Sequence, residues 1–283
     1  MKKIIIVTGA SSGMGVSFAK QLAQESAWYA QNAYRTSSFN DNVADEIWLI
    51  ARRKDKLEDT AKLILSMPGP HPIPRVVELD ISGKAGALSF KRLLDESSAN
   101  SSDNLKITVL VNNAGFGTYG EFANTDTLRE MEMVDLDCTA LTGITGYALP
   151  YMKKGSRLIN TASLASYLPL GNFAVYGACK SYVLSFTVAL AAELKPRGIK
   201  VTALCPGPVS TEFANVASKG AREKVRHGLS PDKTVAHCIR ASRKGKLYSL
   251  FAFKWKFKAF MSRFIGRYTG AWFTYKFCKR PSN

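Results

Sequence analysis

The sequence predicts an α/β fold, a doubly wound parallel sheet covered by helices, with a basic helical appendage at its C-terminal end. Three observations carry that prediction. Strand-like and helix-like segments alternate along most of the chain. The strand segments IIIV, VLV and LIN are apolar almost throughout, as parallel strands buried on both faces must be. A glycine-rich turn separates the first strand from the first helix.

The elements follow in order. Residues 3–8 form a β-branched run, and the turn after them feeds an amphipathic stretch over 16–25. A strand at 46–51 precedes a helix over 55–65, a strand at 75–79 precedes a helix over 84–99, and a further strand spans 108–111. Then come a long helix over 127–152, a strand at 157–161, a helix over 176–194 and a strand at 200–204. Two segments interrupt the alternation. Residues 26–45, rich in Ser, Asn and aromatics, read as an insertion built of a helix extension and a surface loop. Residues 210–232 lie beyond the carboxyl end of a strand, where open α/β sheets bind ligands, and read as a substrate lid. The division expected is a catalytic body over 1–232 and a basic, aromatic extension over 233–283.

Composition sets the bounds. A chain of 283 residues accommodates one large α/β body with an appendage. With 46% hydrophobic and 22% charged residues it reads as globular, not disordered or collagen-like. No unbroken apolar run reaches the roughly 18 residues of a spanning helix. The opening MKKIIIVTGA reads as a strand, because Gly9 arrives too soon for a signal-peptide core. Cys138, Cys179, Cys205, Cys238 and Cys278 are odd in number and lack a C-x-x-C pair, so the expectation is a reducing, cytoplasmic setting without a disulfide framework or zinc site. His71, His227 and His237 are too scattered to suggest a metal centre. The net charge of +17 is uneven: residues 233–283 hold thirteen Lys and Arg and no acid, which leaves the rest at +4.

The chemistry-bearing residues come next. Gly9, Gly13 and Gly15, with Ser11, Ser12 and Met14 between them, sit where bare backbone N–H groups can approach a pyrophosphate at a helix N-terminus. Gly9, Ser11 and Gly13 also match G-x-S-x-G, the nucleophile elbow of hydrolases. That alternative fails on position, since nothing precedes residue 11 to supply the oxyanion partner. Ser163 is followed thirteen residues later by Tyr176 and four residues after that by Lys180. On a helix Tyr176 and Lys180 share a face one turn apart, so the ammonium is expected to favour the phenolate and lower the phenol pKa towards acid/base use at neutral pH.

With these motifs in view, the chain resembles the short-chain dehydrogenase/reductase family over roughly residues 1–210. The matching segments are TGASSGMG, Asp80-Ile81, NNAG at 112–115, Ser163, YGACK from Tyr176, and PGPVST at 206–211. The resemblance implies a doubly wound Rossmann sheet and hydride transfer between a nicotinamide and a carbonyl or alcohol. It implies Tyr176 as proton donor, Ser163 orienting the carbonyl, and Lys180 holding the nicotinamide ribose. It further implies that Asp80 and Ile81 frame the adenine, that Asn112, Ala114 and Gly115 support the cofactor, and that Pro206, Gly207, Val209 and Thr211 line its nicotinamide end. A homodimer or homotetramer is implied as well.

One position departs from the family pattern. Aligned on the following LP-x-M, the usual active-site Asn falls on Asp137. Asp keeps the backbone carbonyl but loses the amide donor and adds negative charge near Lys180, which is expected to raise the pKa of the pair. A working enzyme with an altered proton relay is the expectation; the alternative is a non-catalytic nucleotide-binding sensor or scaffold. Cofactor choice rests on LIARRK, where Ala51 cannot bind a ribose hydroxyl but Arg52 and Arg53 can meet a 2′-phosphate, so NADP(H) is expected unless both are simply solvated.

The extension carries Leu250, Phe253, Phe257, Phe260, Phe264, Tyr268, Ala271 and Tyr275 at three- and four-residue steps, one helical stripe, with Gly266 and Gly270 as bends or breaks. A basic amphipathic helix can lie on a membrane, or the stripe can pack on the body; both stay open, as does an acidic acyl-carrier partner. Nucleic acid is disfavoured because no recognition motif accompanies the charge. The expected substrate is a hydrophobic, lipid-like, 3-oxoacyl or steroid-like carbonyl or alcohol.

Overall fold

The computed structural model describes residues 1–32, 34, 42–99, 104–223, 225, 227–280 and 282. Seven parallel strands form one sheet in the order β3-β2-β1-β4-β5-β6-β7. They are β1 (Lys3–Thr8), β2 (Glu46–Ala51), β3 (Ile73–Glu78), β4 (Lys106–Asn112), β5 (Met152–Thr161), β6 (Lys200–Leu204) and β7 (Tyr248–Ser249). The order reverses beside β1, so the chain leaves the carboxyl ends of β1 and β4 towards opposite faces of the sheet and opens a crevice there. This is the doubly wound Rossmann architecture.

Helices cover both faces: α1 (Gly13–Gln31), α2 (Lys54–Leu65), α3 (Gly83–Ala99), α4 (Thr127–Val134), α5 (Leu141–Ala148), α6 (Ala174–Leu194), α7 (Phe213–Ala217) and α8 (Pro231–Arg243). Strand alternation divides the core. Ile5 and Val7 of β1 face Phe18, Leu22, Leu57 and Val235 on one side, while Ile4 and Ile6 face Phe90, Leu94 and Ile144 on the other. Phe18 and Phe90 are fully buried, and truncating either to Ala costs about 3–5 kcal/mol.

Most elements start or end within a few residues of expectation, with α1 and β4 longer than read, and three differences have a clear physical reason. β3 starts at Ile73 because it is the sheet's edge strand, partly exposed, where Pro74 is tolerated without an N–H. β5 starts at Met152; its exposed Lys153, Lys154 and Gly155 hide the strand from a search for apolar runs. The helix expected over 127–152 stops at Ala148 and is divided by a π-helical segment, Asp135–Ala140. π-bulges widen one turn and re-aim its side chains, and this one carries Asp137.

α6 is long and apolar enough, by length and composition, to cross a membrane. It is nevertheless a core helix here: Tyr176, Lys180, Val183, Leu190 and Leu194 are buried, and it packs on β6. Of the inserted segment, the helix extension runs to Gln31, and the greater part of the loop after it lies outside the described residues.

The extension does not form one helix. It divides into α9 (Phe253–Met261), a 3₁₀ turn at Ser262–Phe264 and α10 (Arg267–Phe277), with Gly266 as the N-cap of α10. Gly270 does not break α10; it lies buried against Leu168, and its lack of a side chain permits that approach.

Candidate active site

The crevice is built from the turn after β1. Gly9 and Gly13 have positive φ values of 66° and 53°, conformations that favour glycine. A Cβ on Gly15 would lie 1.9 Å from the Gly9 carbonyl oxygen, so only glycine lets α1 start this close to the strand. Ser12 occupies the N-cap position of α1 without its side chain capping the helix, which leaves first-turn N–H groups available for an anion. The turn is clamped from both sides. The backbone N–H of Gly9 donates to Ile50 of β2 at 2.8 Å, and the Thr211 side chain packs against Gly13.

After β4, the backbone N–H groups of Asn113 and Ala114 donate to the Thr8 hydroxyl at 3.0 and 3.1 Å, and the Asn113 amide donates to the Thr8 carbonyl at 3.2 Å. Asn113 thus ties the two sides of the crevice together. Asn112, its neighbour, turns inward: its amide donates to Thr145 and Asn160, each at 2.9 Å, inside the sheet layer. Its side chain is engaged there, and only its backbone position bears on the crevice. Asp80 accepts from the Ser82 N–H at 2.9 Å; burial works against its carboxylate, but the Ser82 hydrogen bonds and the Arg52 charge hold its pKa below the ordinary value. Ile81 beside it is buried against Gly86.

At the carboxyl end of β2, Arg53 donates to the Ser11 hydroxyl at 3.3 Å and pairs with Glu212 at 3.2 Å. Arg52 is exposed alongside. Across the crevice, the Pro206 carbonyl accepts from the Leu164 N–H at 2.9 Å, and Val209 bridges to Leu229. A Cβ on Gly207 would lie 2.4 Å from the Trp255 ring, so α9 reaches the same turn.

α6 positions Tyr176 and Lys180, and the end of β5 positions Ser163. Tyr176 is buried, stacked on Phe173 at 4.0 Å and 14°, with Phe213 at 5.4 Å. Lys180 lies with its Nζ 5.5 Å from the centre of the Tyr176 ring and donates to the Thr161 carbonyl at 3.2 Å. Its second partner is Asp137: the π-helical turn brings Oδ2 to 2.8 Å from Nζ, both side chains buried. The other Asp137 oxygen accepts from the Phe116 N–H at 3.2 Å, and a Cβ on Gly115 would come within 2.6 Å of it.

The electrostatics differ from the simple two-residue expectation. Burial raises the Tyr176 pKa; Lys180 and a hydrogen bond with Ser163 pull it down, and Asp137 pushes it up, with a net rise. Burial likewise raises the Asp137 carboxyl against the pull of Lys180. For Lys180, burial opposes the ammonium, but Asp137 and Tyr176 outweigh it and raise the pKa. The phenol keeps its proton at neutral pH chiefly because it is buried, and the Asp137 charge beside Lys180 adds to that effect.

The site also contains residues that the motifs do not announce. Phe173, Phe213 and Tyr119 form an aromatic wall over Tyr176, with Tyr119 edge-on to Phe173 at 4.8 Å. Their signal was available only as aromatics flanking NNAG, YGACK and PGPVST.

A model of the short chain dehydrogenase family matches residues 3–222. This chain belongs to the short-chain dehydrogenase family, a family of oxidoreductases. Among its curated relatives, the 11-beta-hydroxysteroid dehydrogenase-like 3 protein of Arabidopsis thaliana is 27% identical over 246 residues, covering 86% of this chain and 70% of the relative. A ketoacyl reductase of Nostoc sp. is 29% identical, covering 86% of this chain and 76% of the relative. Among solved structures, a short-chain dehydrogenase from Sphingobium yanoikuyae in complex with NADPH shares the fold with a TM-score of 0.72, at 22% identity over 92% of this chain and 93% of that one. A short-chain dehydrogenase/reductase from Burkholderia phymatum in complex with NAD does so equally, with a TM-score of 0.72 at 18% identity over 92% of each. The family implies a small-molecule substrate and a nicotinamide nucleotide for this dehydrogenase too.

Proposed function

We propose that this short-chain dehydrogenase reduces an apolar carbonyl compound with NADPH, and that Tyr176 donates the proton. The observation that carries the reading is the buried Tyr176 phenol, one helical turn from the Lys180 ammonium and lying against the aromatic rings of Phe173 and Phe213. A protonated phenol beside a fixed cation can give up its proton and have the phenolate left behind steadied, which suits reduction; an apolar wall favours a substrate with a large hydrocarbon body. Two relatives named for ketoacyl and hydroxysteroid compounds point to the same substrate chemistry.

The residues present fit a dinucleotide. The uncapped start of α1 and the side-chain-free surface of Gly9 and Gly13 would take the pyrophosphate, while Asp80 and Ile81 would frame the adenine. Ala114 and Gly115 would support the cofactor; Pro206, Gly207, Val209 and Thr211 would line its nicotinamide end. Bound NADPH supplies the hydride. Ser163 would orient the carbonyl oxygen, Tyr176 would hand it a proton, and Lys180 would hold a ribose hydroxyl and carry the charge that steadies the phenolate left behind.

Arg53 supports the choice of NADPH. It already lies on Ser11 of the phosphate-binding turn, and its guanidinium fork can exchange Glu212 for a 2′-phosphate. NADPH should bind at least about tenfold more tightly than NADH, an advantage of roughly 1.4 kcal/mol. Titration at matched salt checks this: Arg53→Ala should remove most of the difference, and equal affinities in the unaltered protein would refute the preference.

A second reading, a nucleotide sensor without turnover, draws on the buried Asp137–Lys180 pair at 2.8 Å. NADPH consumption with a panel of apolar ketones and 3-oxoacyl thioesters separates the two. Turnover supports the reductase; binding without turnover, with activity appearing only in Asp137→Asn, supports the sensor.

A further inference from the structure

The C-terminal helices turn much of their aromatic surface away from the enzyme body, although the two ends of the stripe, Leu250 and Tyr275, meet it. α9 meets the body through Trp255, Ala259 and Ser262, which recur at helical spacing and are partly or fully buried. Phe253, Phe257, Phe260 and Phe264 recur on the opposite side and are between 53% and 79% exposed. Beyond the break at Gly266 the exposed apolar face continues with Tyr268 and Trp272. Soluble proteins rarely leave so many neighbouring rings in water unless something covers them.

The charge decides what covers them. Lys254, Lys256, Lys258, Arg263 and Arg267 are exposed between the rings, and residues 233–283 contain no acid. A second copy set face to face would bring cation against cation. An acidic carrier protein would answer the charge but leave rings spread over two helices without an apolar partner. The headgroup layer of an anionic bilayer takes both, with rings entering the acyl boundary and ammonium and guanidinium groups resting on phosphates.

We infer that α9 and α10 form an interfacial anchor that lays this enzyme on an anionic bilayer. The anchor is joined to the catalytic side of the body. The Gly171 N–H donates to Thr274 at 2.9 Å, and the Asn172 amide donates to the Tyr275 carbonyl at 2.9 Å. Phe173, the next residue, stacks on Tyr176. A docked anchor therefore places the proton donor close to the membrane, and a lipid-soluble carbonyl dissolved in that membrane is the matching substrate class. This substrate step rests on the reductase reading above; the docking itself does not.

Sedimentation of the full chain with vesicles tests the docking. It should pellet with phosphatidylcholine vesicles containing phosphatidylserine and remain in solution with phosphatidylcholine alone. Replacing Lys256, Arg263 and Arg267 by Gln should weaken binding roughly 100-fold, and F257S/F260S/F264S should weaken it at least about tenfold. NADPH binding by each variant, read by fluorescence, shows that the fold is kept, because none of these side chains belongs to the nucleotide crevice. Three outcomes overturn the anchor: no pelleting by the unaltered chain, equal pelleting with both vesicle types, or full binding after loss of the three rings, which would mean that charge alone attracts it, as an acidic protein would. Pelleting without any ketone reduction would retain the anchor and refute the reductase reading.

Discussion

Asp137 changes the electrostatics around the proposed proton donor. Its carboxylate reaches Lys180 at 2.8 Å inside the core, and its charge is one of the causes that raise the Tyr176 pKa. Asp137→Asn removes that charge, so the Tyr176 pKa falls, and the Lys180 ammonium, left with the phenol as its remaining acidic neighbour, favours phenolate more strongly. Alcohol oxidation needs phenolate as base, so the acidic limb of its pH–rate profile should move to lower pH in the variant. Rates measured across pH with saturating NADP check this; an unmoved limb would show that the Asp137 charge does not reach the reacting phenol. The identity of Asp137 was legible from its alignment with LP-x-M, but its ion pair was not. Whether a carboxylate in the middle of a long helical run faces a lysine depends on the π-helical turn, and a single inserted residue per turn leaves no periodic signature.

At the scale of elements, the sheet was legible where strands are buried on both faces and obscure where they are not. β1 and β2 announced themselves as apolar runs, whereas the start of β5 and the edge strand β3 carry Lys, Gly and Pro that read as turns. The glycine turn was legible because its spacing reflects backbone sterics that hold in any sequence. The buried cluster joining α1, β5 and α8 was not: Arg157 pairs with Glu25, which also meets Arg243 at 3.1 Å, across separations that no local pattern records. Arg157 and Glu25 are both buried, so removing one leaves the other uncompensated. Glu25→Ala should destabilise the fold by about 3 kcal/mol, measured by urea unfolding. A loss within experimental error would show that water or a neighbouring group replaces the carboxylate.

For the whole molecule, the uneven charge read from the sequence is only partly a spatial division. The α/β body reaches past residue 232, since α8 packs in the core and β7 joins the sheet, so Lys233, Arg240, Arg243, Lys244 and Lys246 belong to it. Two further helices carry exposed cations and rings and are tied to Gly171 and Asn172. Helical periodicity identified the stripe from Phe253 to Tyr275 but not its direction, since an apolar stripe faces inward or outward according to what it meets. The small residues Ala259, Ser262 and Gly270 mark the inward side, because close approach of helix to body requires them. The same geometry places Trp255 on Gly207 and Tyr275 on Gly171, so the extension braces both walls around the phenol. The proposed reduction turns on one transfer, a proton leaving the Tyr176 oxygen, and replacing Tyr176 by Phe tests it most directly. Tyr176→Phe retains the ring that stacks on Phe173 and deletes only the acid. NADPH should bind as before while the rate of ketone reduction falls by about 10²–10⁴-fold; reduction at the unaltered rate would contradict the account.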